Sequence, residues 1–448
     1  MKKKLFGTDG IRGVAGIPPM DTETAFAVGK AIAKGIYQEG TIFPKIVIGR
    51  DTRESGDILE EAICAGIIQA KGNVCVVGVL PTPAVAYLTR TMKADMGLMI
   101  SASHNPYTDN GIKLFDSNGY KLTDIAQKKL EKRIFAELTE KPEKKEIYSQ
   151  PSLISDAAEQ YISFLREKTG SLPLKKLKIA IDCANGAAFK IAPALFSHLG
   201  KHIETIGVEP NGKNINEKVG SENPEKLMDL VRQKNCDVGL AFDGDADRLV
   251  AVDETGNLLT GDHILYICAN YLKKEGILKN EIVVCTVMSN LGFHKAMQKN
   301  GIRVAVSEVG DRSVLAEMLR TGGVLGGEDS GHLIYLDAHT TGDALIAAIL
   351  LLSAMEKSGK KLSELRQEMK ILPQVLLNIP IQIQKDWQKI PQIFIVVENI
   401  KEKLKGEGRI LIRYSGTQSI CRIMIEGSDK QKIIGYANKI ADSFQKYM

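Results

Sequence analysis

The chain has 448 residues, 44% hydrophobic, 25% charged and 6% aromatic. That composition excludes a wholly disordered chain, and at roughly 100–200 residues per domain the length implies three or four domains. The 59 Lys and Arg against 54 Asp and Glu leave a net charge of +5, spread along the chain. This is too little for a nucleic-acid binder and compatible with small anionic ligands.

The start, Lys2-Lys3-Lys4, is followed by no apolar core, so no signal peptide is expected. The longest apolar stretch, Ala344 to Met355, is about 12 residues, short of the roughly 20 that a membrane-spanning helix needs. A cytoplasmic protein that meets neither membrane nor nucleic acid is the expectation. The seven cysteines form no C-x-x-C pair, and several lie in strand-like runs such as Ile282-Val283-Val284-Cys285. They read as buried free thiols.

In chain order, Lys45–Gly49 predicts a strand, 55–70 a helix, Asn73–Gly78 a strand and Met96–Ile100 another. A charged stretch of poor periodicity, Glu140–Ser152, separates this round from the next. There Ile179–Asp182 precedes a helix near 187–199, and Val238–Phe242 ends in aspartates. A third round runs from Ile282 through Val304–Val306 to the apolar helix at 344–355. Strand and helix in repeated alternation indicate βαβ units and mostly parallel sheets. Past Lys357–Lys361 the pattern changes to alternating strands, Arg409–Arg413 and Arg422–Ile425, with a closing helix over 430–446. The expected organisation is three related mixed, mostly parallel α/β domains (1–152, 153–254, 255–366) and a C-terminal α+β domain (367–448).

No P-loop, nucleophile elbow or zincin signature is present. Instead, five polar clusters interrupt the apolar pattern, mostly at strand ends or turns, where open α/β sheets bind ligands. Ser101-Ala102-Ser103-His104-Asn105-Pro106 sets a hydroxyl beside an imidazole, and Lys113 follows the turn at Asp109-Asn110-Gly111. Asp243-Gly244-Asp245-Ala246-Asp247-Arg248 places three carboxylates within five residues, which repel one another unless they meet a hard cation such as Mg²⁺ or Ca²⁺. An EF-hand is excluded because position six is Arg248 where the hand needs Gly, and because both flanks read as strands. A Mg²⁺ loop between two strands fits. Gly326–His332 brings Glu328, Ser330 and His332 between glycines, suited to sugar hydroxyls and a proton. Arg413-Tyr414-Ser415-Gly416-Thr417-Gln418, with Arg422 beyond, suits an anion. The fifth is Gly7-Thr8-Asp9-Gly10-Ile11-Arg12-Gly13. Together these are the parts of a phosphosugar site.

With these residues in view, F-G-T-D-G-I-R-G (6–13), S-A-S-H-N-P (101–106), D-G-D-A-D-R (243–248), G-E-D-S-G-H (327–332) and R-Y-S-G-T (413–417) resemble the α-D-phosphohexomutase superfamily in order and spacing. The opening motif, the S-A-S-H-N-P-Y-x-D-N-G-I-K run, Gly310-Asp311-Arg312 and Thr340–Asp343 are more similar to its bacterial phosphoglucosamine mutase branch. The resemblance implies four domains in a heart shape around a central cleft. It implies a phosphorylated Ser103 whose phosphate joins Asp243, Asp245 and Asp247 in holding one Mg²⁺. Arg12, His104, Lys113 and Arg248 would surround the transferring phosphoryl group, with Lys113 and His332 as proton-transfer groups. Thr8, Glu328 and Ser330 would bind the sugar phosphate, and Arg413, Ser415, Gly416, Thr417 and Arg422 the phosphate that is not transferred.

The implied reaction exchanges glucosamine 6-phosphate and glucosamine 1-phosphate through a 1,6-bisphosphate, which also serves as primer, for UDP-N-acetylglucosamine synthesis. A phosphomannomutase/phosphoglucomutase, a non-catalytic sugar-phosphate sensor and a standalone phosphatase are the alternatives. Activation by a kinase or by autophosphorylation, a monomer or homodimer, and a hinge near 358–370 complete the expectations. The chain departs from the family at Tyr414, Gln418 and Ser419, where R-P-S-G-T-E-P is usual, and at Asp329, where phosphoglucosamine mutases carry Gln or Asn. An acidic Asp329 suits a protonated 2-amino group.

Overall fold

Runs of β-branched and aliphatic residues bounded by Gly, Asp and Pro form the strands of the computed structural model, which describes residues 4–7, 9–140, 150–169, 177–199, 202–381, 385–414 and 420–448. The chain divides into two compact units. One comprises Met1–Met288 with Gly301–Gln367, the other Ser289–Asn300 with Glu368–Met448.

The larger unit holds three sheets. The first runs Phe6–Gly7, Gly10–Val14, Asp109–Asp116, Met96–Ile100, Lys45–Arg50, Asn73–Val79, Ser152–Leu153. Its first four strands pair antiparallel and the rest parallel. Lys45–Arg50 lies central and buried, which is why it reads as a continuous apolar run with no alternation. The second sheet runs Leu258–Leu259, Leu249–Asp253, Val238–Phe242, Lys178–Asp182, His202–Ile206. The third runs Arg303–Ser307, Ile282–Thr286, Leu325–Gly327, Leu333–Tyr335. The expected mixed α/β architecture is therefore observed. All seven cysteines are free and buried.

The apolar helix Ala344–Ser358 is buried nearly all round and starts on Asp343. The Asp343 carboxylate accepts from the Leu345 and Ile346 amides at 2.9 and 3.1 Å and from the Tyr161 hydroxyl at 2.7 Å. Burial outweighs these bonds and lifts its pKa from 3.8 to about 6. A carboxyl whose folded pKa is raised stabilises the fold most below its unfolded pKa, and that contribution is lost as pH rises to the folded value. Asp343→Asn carries no such ionisation. The amide variant should therefore gain about 2–3 kcal/mol on the wild type between pH 3.5 and pH 7. Urea melts of both proteins at the two pH values check this; a constant difference would refute it.

The smaller unit has one antiparallel sheet, Gln374–Pro380, Ile420–Gly427, Gly408–Tyr414. Ile393, Val397, Ile400, Ile433, Ala437 and Ile440 from its two long helices pack with this sheet in one core. The expected α+β module is present, and the helix Leu291–Lys299 belongs to the same compact unit. One of its anchors is a buried carboxylate. Glu426 accepts from the Leu291 amide at 2.9 Å and pairs with Arg409 at 2.6 Å. Asn290 adds bonds from the Gly292 and Leu372 amides, each at 2.9 Å.

Candidate active site

The loop that carries Ser103 begins where Met96–Ile100 ends. Ser103 takes a positive φ of 55°, a conformation that non-glycine residues rarely adopt. A buried ion pair from the neighbouring parallel strand imposes it. Arg53, fully buried, pairs with Asp51 at 2.9 Å and donates to the carbonyls of Ser103, Asn105, Pro106 and Asp109. Asp51 in turn accepts from Ser101 Oγ at 2.5 Å. Ser101 Oγ takes the Ser103 amide at 3.0 Å, and Asn216 Nδ2 donates to the Ser103 and Asn105 carbonyls at 2.9 and 3.1 Å. Four loop carbonyls thus converge on one guanidinium, which holds the loop against relaxation.

The aspartate cluster connects two antiparallel strands, Val238–Phe242 and Leu249–Asp253, as expected. Gly244 is required there, because a Cβ would lie 2.5 Å from the Ser103 carbonyl oxygen. That close approach lets the Ser103 hydroxyl donate to Asp243 Oδ2. Asp243 Oδ1 accepts from the amides of Asp247 and Arg248 at 3.1 and 3.2 Å.

Oxygen atoms from Asp243, Asp245 and Asp247 lie within 4.8 Å of one another, all buried. Lys113 Nζ donates to Asp245 Oδ2 at 2.6 Å and to Asp247 Oδ2 at 3.1 Å, and Thr82 also donates to Asp245 Oδ2. The other oxygens, Asp245 Oδ1 and Asp247 Oδ1, are buried without a hydrogen-bond partner among the described residues. An oxygen-only set with two orphaned carboxylate oxygens fits Mg²⁺. Burial and then the Asp247 and Asp245 charges push the Asp243 pKa well above the usual carboxylate range. Burial opposes ionisation of Asp247 as well, but Lys113 and His332 outweigh it and hold that pKa low.

Lys113 is 1% exposed, and Asp9 lies 3.3 Å from its ammonium. Burial disfavours the charge, yet Asp245, Asp247 and Asp9 raise its pKa well above the normal value. Arg12 pairs with Asp9 and donates to the Ala102 carbonyl at 3.2 Å. His104 Nδ1 is 3.3 Å from Ser103 Oγ. Burial, then Arg248, lowers the His104 pKa and keeps the ring neutral.

The sugar-type loop turns between Leu325–Gly327 and Leu333–Tyr335. Backbone pairing of Arg248 with His332 brings it to the aspartate loop. Gly342 presses on the imidazole: a Cβ there would lie 2.2 Å from His332 Nε2. His332 Nδ1 is 3.7 Å from Asp247 and Nε2 is 3.9 Å from Asp311. Burial opposes the imidazolium, but these two carboxylates prevail and raise its pKa. Glu328 Oε1 accepts from the Gly310 amide at 2.9 Å, and Ser330 is exposed. The exposed Asp329 carboxylate takes the Asp262 amide at 3.3 Å, at the start of the helix Gly261–Lys274.

Ser103, His104, Arg12, Lys113, Asp243, Asp245, Asp247, Arg248 and His332 therefore form one connected cluster, and Glu328 joins it through the Gly310–Asp311 turn. In the smaller unit Arg413 and Arg422 sit directly opposite on paired strands. Thr8, Ser415, Gly416 and Thr417, with Gln418 and Ser419, lie outside the described residues. Tyr414, the departure just before that loop, donates its hydroxyl to the Lys385 carbonyl. Sequence reasoning missed Asp51, Arg53, Asn216 and Lys121. The signal for Asp51 and Arg53 was available, since both follow the carboxyl end of a central parallel strand.

Four consecutive segments match the domains of one family: phosphoglucomutase/phosphomannomutase α/β/α domain I at residues 3–141, domain II at 159–256, domain III at 260–371 and the C-terminal domain at 376–443. The chain belongs to the phosphohexomutase family. Among its phosphohexomutase relatives, the phosphoglucosamine mutase of Citrifermentans bemidjiense is 48% identical over 98% of this chain and 97% of its own. That of Geobacter metallireducens is 48% identical over 99% of each. The fold is shared with a phosphoglucomutase/phosphomannomutase family protein from Burkholderia thailandensis, at TM-score 0.80 and 22% identity over 99% of this chain and 97% of that one. It is shared also with Aspergillus fumigatus N-acetylphosphoglucosamine mutase, solved with GlcNAc-6P and magnesium, at TM-score 0.65 and 16% identity over 99% and 95%. No helix among the described residues is long and apolar enough to cross a membrane.

Proposed function

We propose that this phosphohexomutase is an isomerase that interconverts glucosamine 6-phosphate and glucosamine 1-phosphate. The observation that carries the chemistry is the Ser103 hydroxyl held on Asp243 beside the two orphaned oxygens of Asp245 and Asp247. Full-length similarity to phosphoglucosamine mutases supports the sugar, and it does not favour the mannose and glucose branch.

In the active form Ser103 carries a phosphoryl group. The Ser103 O–P bond breaks as a hydroxyl of the sugar phosphate takes the phosphorus, giving the 1,6-bisphosphate. The second half-reaction returns the other phosphate to Ser103, and the same bisphosphate primes unphosphorylated chains. Asp243, Asp245, Asp247 and the Ser103 phosphate would hold Mg²⁺, which when bound would supply charge neutralisation at the transferring oxygens. Arg12, Lys113 and Arg248 add fixed positive charge there. The Nε atoms of Arg12 and Arg248, buried without a hydrogen-bond partner among the described residues, are suited to phosphate oxygens.

His332 is the proton-transfer group best supported, because its buried Nε2 has no hydrogen-bond partner among the described residues. The long-range ion pairs of Lys113 make it an electrostatic stabiliser. Glu328 and Ser330, with Thr8, contact the sugar phosphate. Arg413, Arg422 and the 415–417 loop take the phosphate that is not transferred. Two arginines directly opposed on a strand pair place positive charge on one face beside that loop. Asp329, engaged with the Asp262 amide, is not assigned to the amino group.

The test is turnover of glucosamine 6-phosphate beside glucose and mannose 6-phosphates, with Mg²⁺ and a priming bisphosphate. A clear preference for the amino sugar is expected. Preference for a hydroxy sugar would move the chain to the neighbouring branch, and no turnover by protein phosphorylated at Ser103 would refute the assignment.

A further inference from the structure

Lys121 lies outside every motif described above, yet it sits between two of them. Its side chain is 8% exposed. The ammonium pairs with Asp9 Oδ1 at 2.6 Å and with Asp311 Oδ2, residues 112 and 190 positions away in sequence. Two chains of contacts leave it. Through Asp9 it reaches Arg12 and, at 3.3 Å, Lys113. Through Asp311 it reaches His332 Nε2 at 3.9 Å, and the Gly310 amide beside Asp311 holds Glu328 at 2.9 Å. One buried cation thus couples groups placed around the phosphoryl donor to groups placed around the sugar.

Other bonds join the same segments farther out. Arg312 donates to Asp124 and Gln127 at 2.7 and 3.0 Å, and Thr340 Oγ1 to the Gly119 carbonyl at 2.7 Å. These bonds do not involve Lys121 and remain when it is replaced. Its particular contribution is the local setting of the two carboxylates. A lysine between two half-buried carboxylates also keeps them from repelling each other, so its removal releases both at once.

We propose that Lys121 is a positioning residue that sets the sugar-binding loop in register with the phosphoserine loop, acting through Asp9 and Asp311. The inference rests on the mutase reading above. It differs from a merely structural role in what it does to the phosphoryl group. When the acceptor sugar is held out of register, more of the phosphoserine is hydrolysed (water takes the phosphorus, releasing phosphate and serine) for each transfer to sugar.

The experiment uses full-length protein labelled with ³²P at Ser103, comparing wild type with Lys121→Met, Lys121→Arg and Asp311→Asn. For Lys121→Met, kcat with glucosamine 6-phosphate should fall at least about tenfold, and the ratio of released phosphate to labelled sugar should rise by a similar factor. Hydrolysis without sugar, and the Mg²⁺ concentration for half-maximal rate, should stay within about twofold. Lys121→Arg, which keeps the charge, should recover part of the transfer. If Lys121→Met does not fold, Asp311→Asn provides the same ratio.

A partition ratio within about twofold of wild type in the folded variants would overturn the proposal. So would a loss of rate that disappears when corrected for folded fraction. Wild-type turnover with unmoved variants sinks this inference alone; a wild type that turns over no sugar phosphate sinks the mutase reading, and this inference with it.

Discussion

Ser103→Ala should reduce interconversion of glucosamine 6-phosphate and glucosamine 1-phosphate by at least about four orders of magnitude, because the proposed reaction routes the phosphoryl group through this hydroxyl. The Ser103 hydroxyl makes one strong contact, to Asp243, while the loop's shape comes from the Asp51–Arg53 pair, the Ser101 hydroxyl and Asn216. Loss of that hydroxyl removes a hydrogen bond worth about 1 kcal/mol and leaves these supports untouched, so the fold should survive. The checks are coupled-assay turnover, incorporation of label from ³²P-bisphosphate and a thermal melt. Turnover within a hundredfold of wild type would refute the phosphoserine assignment.

Asp245→Asn is expected to lower kcat by about two to three orders of magnitude and to raise the Mg²⁺ concentration for half-maximal rate by about a hundredfold. The substitution acts twice. It removes the charge of one of the three clustered carboxylates, one of the two with an oxygen that lacks a hydrogen-bond partner among the described residues, and it takes a charge from Lys113, 2.6 Å away. The Lys113 ammonium, which burial opposes, is then supported mainly by Asp247 and Asp9. A variant with reduced rate but an unchanged Mg²⁺ response would remove the metal reading and leave only the loss of the lysine partner.

Both predictions concern residues found in the sequence before any fold was known. Asp243, Asp245 and Asp247 were identifiable because three carboxylates in five residues are costly without a counter-charge, and because strand-like flanks excluded an EF-hand. The structure adds which oxygens remain available. Lys113 and Thr82 occupy Oδ2 of Asp245, the Asp247 and Arg248 amides occupy Oδ1 of Asp243, and in this cluster only Oδ1 of Asp245 and of Asp247 lacks a hydrogen-bond partner among the described residues. Lys113 was expected near a phosphate; its placement among the aspartates themselves was not. The bond from the Leu291 amide to the buried Glu426 carboxylate, 135 positions away, was not legible either.

The sequence by itself determined the strand and helix alternation, the burial of the cysteines and the identity of the polar loops. Periodicity, turn chemistry and local charge density are written in neighbouring residues. Only the tertiary structure decided that Arg53 gathers four carbonyls of the serine loop and that Lys121 joins Asp9 to Asp311. Those contacts join residues from about 50 to 190 positions apart. No local pattern encodes such pairs, because sheet order and loop packing bring their charges together only after the strands have found their neighbours.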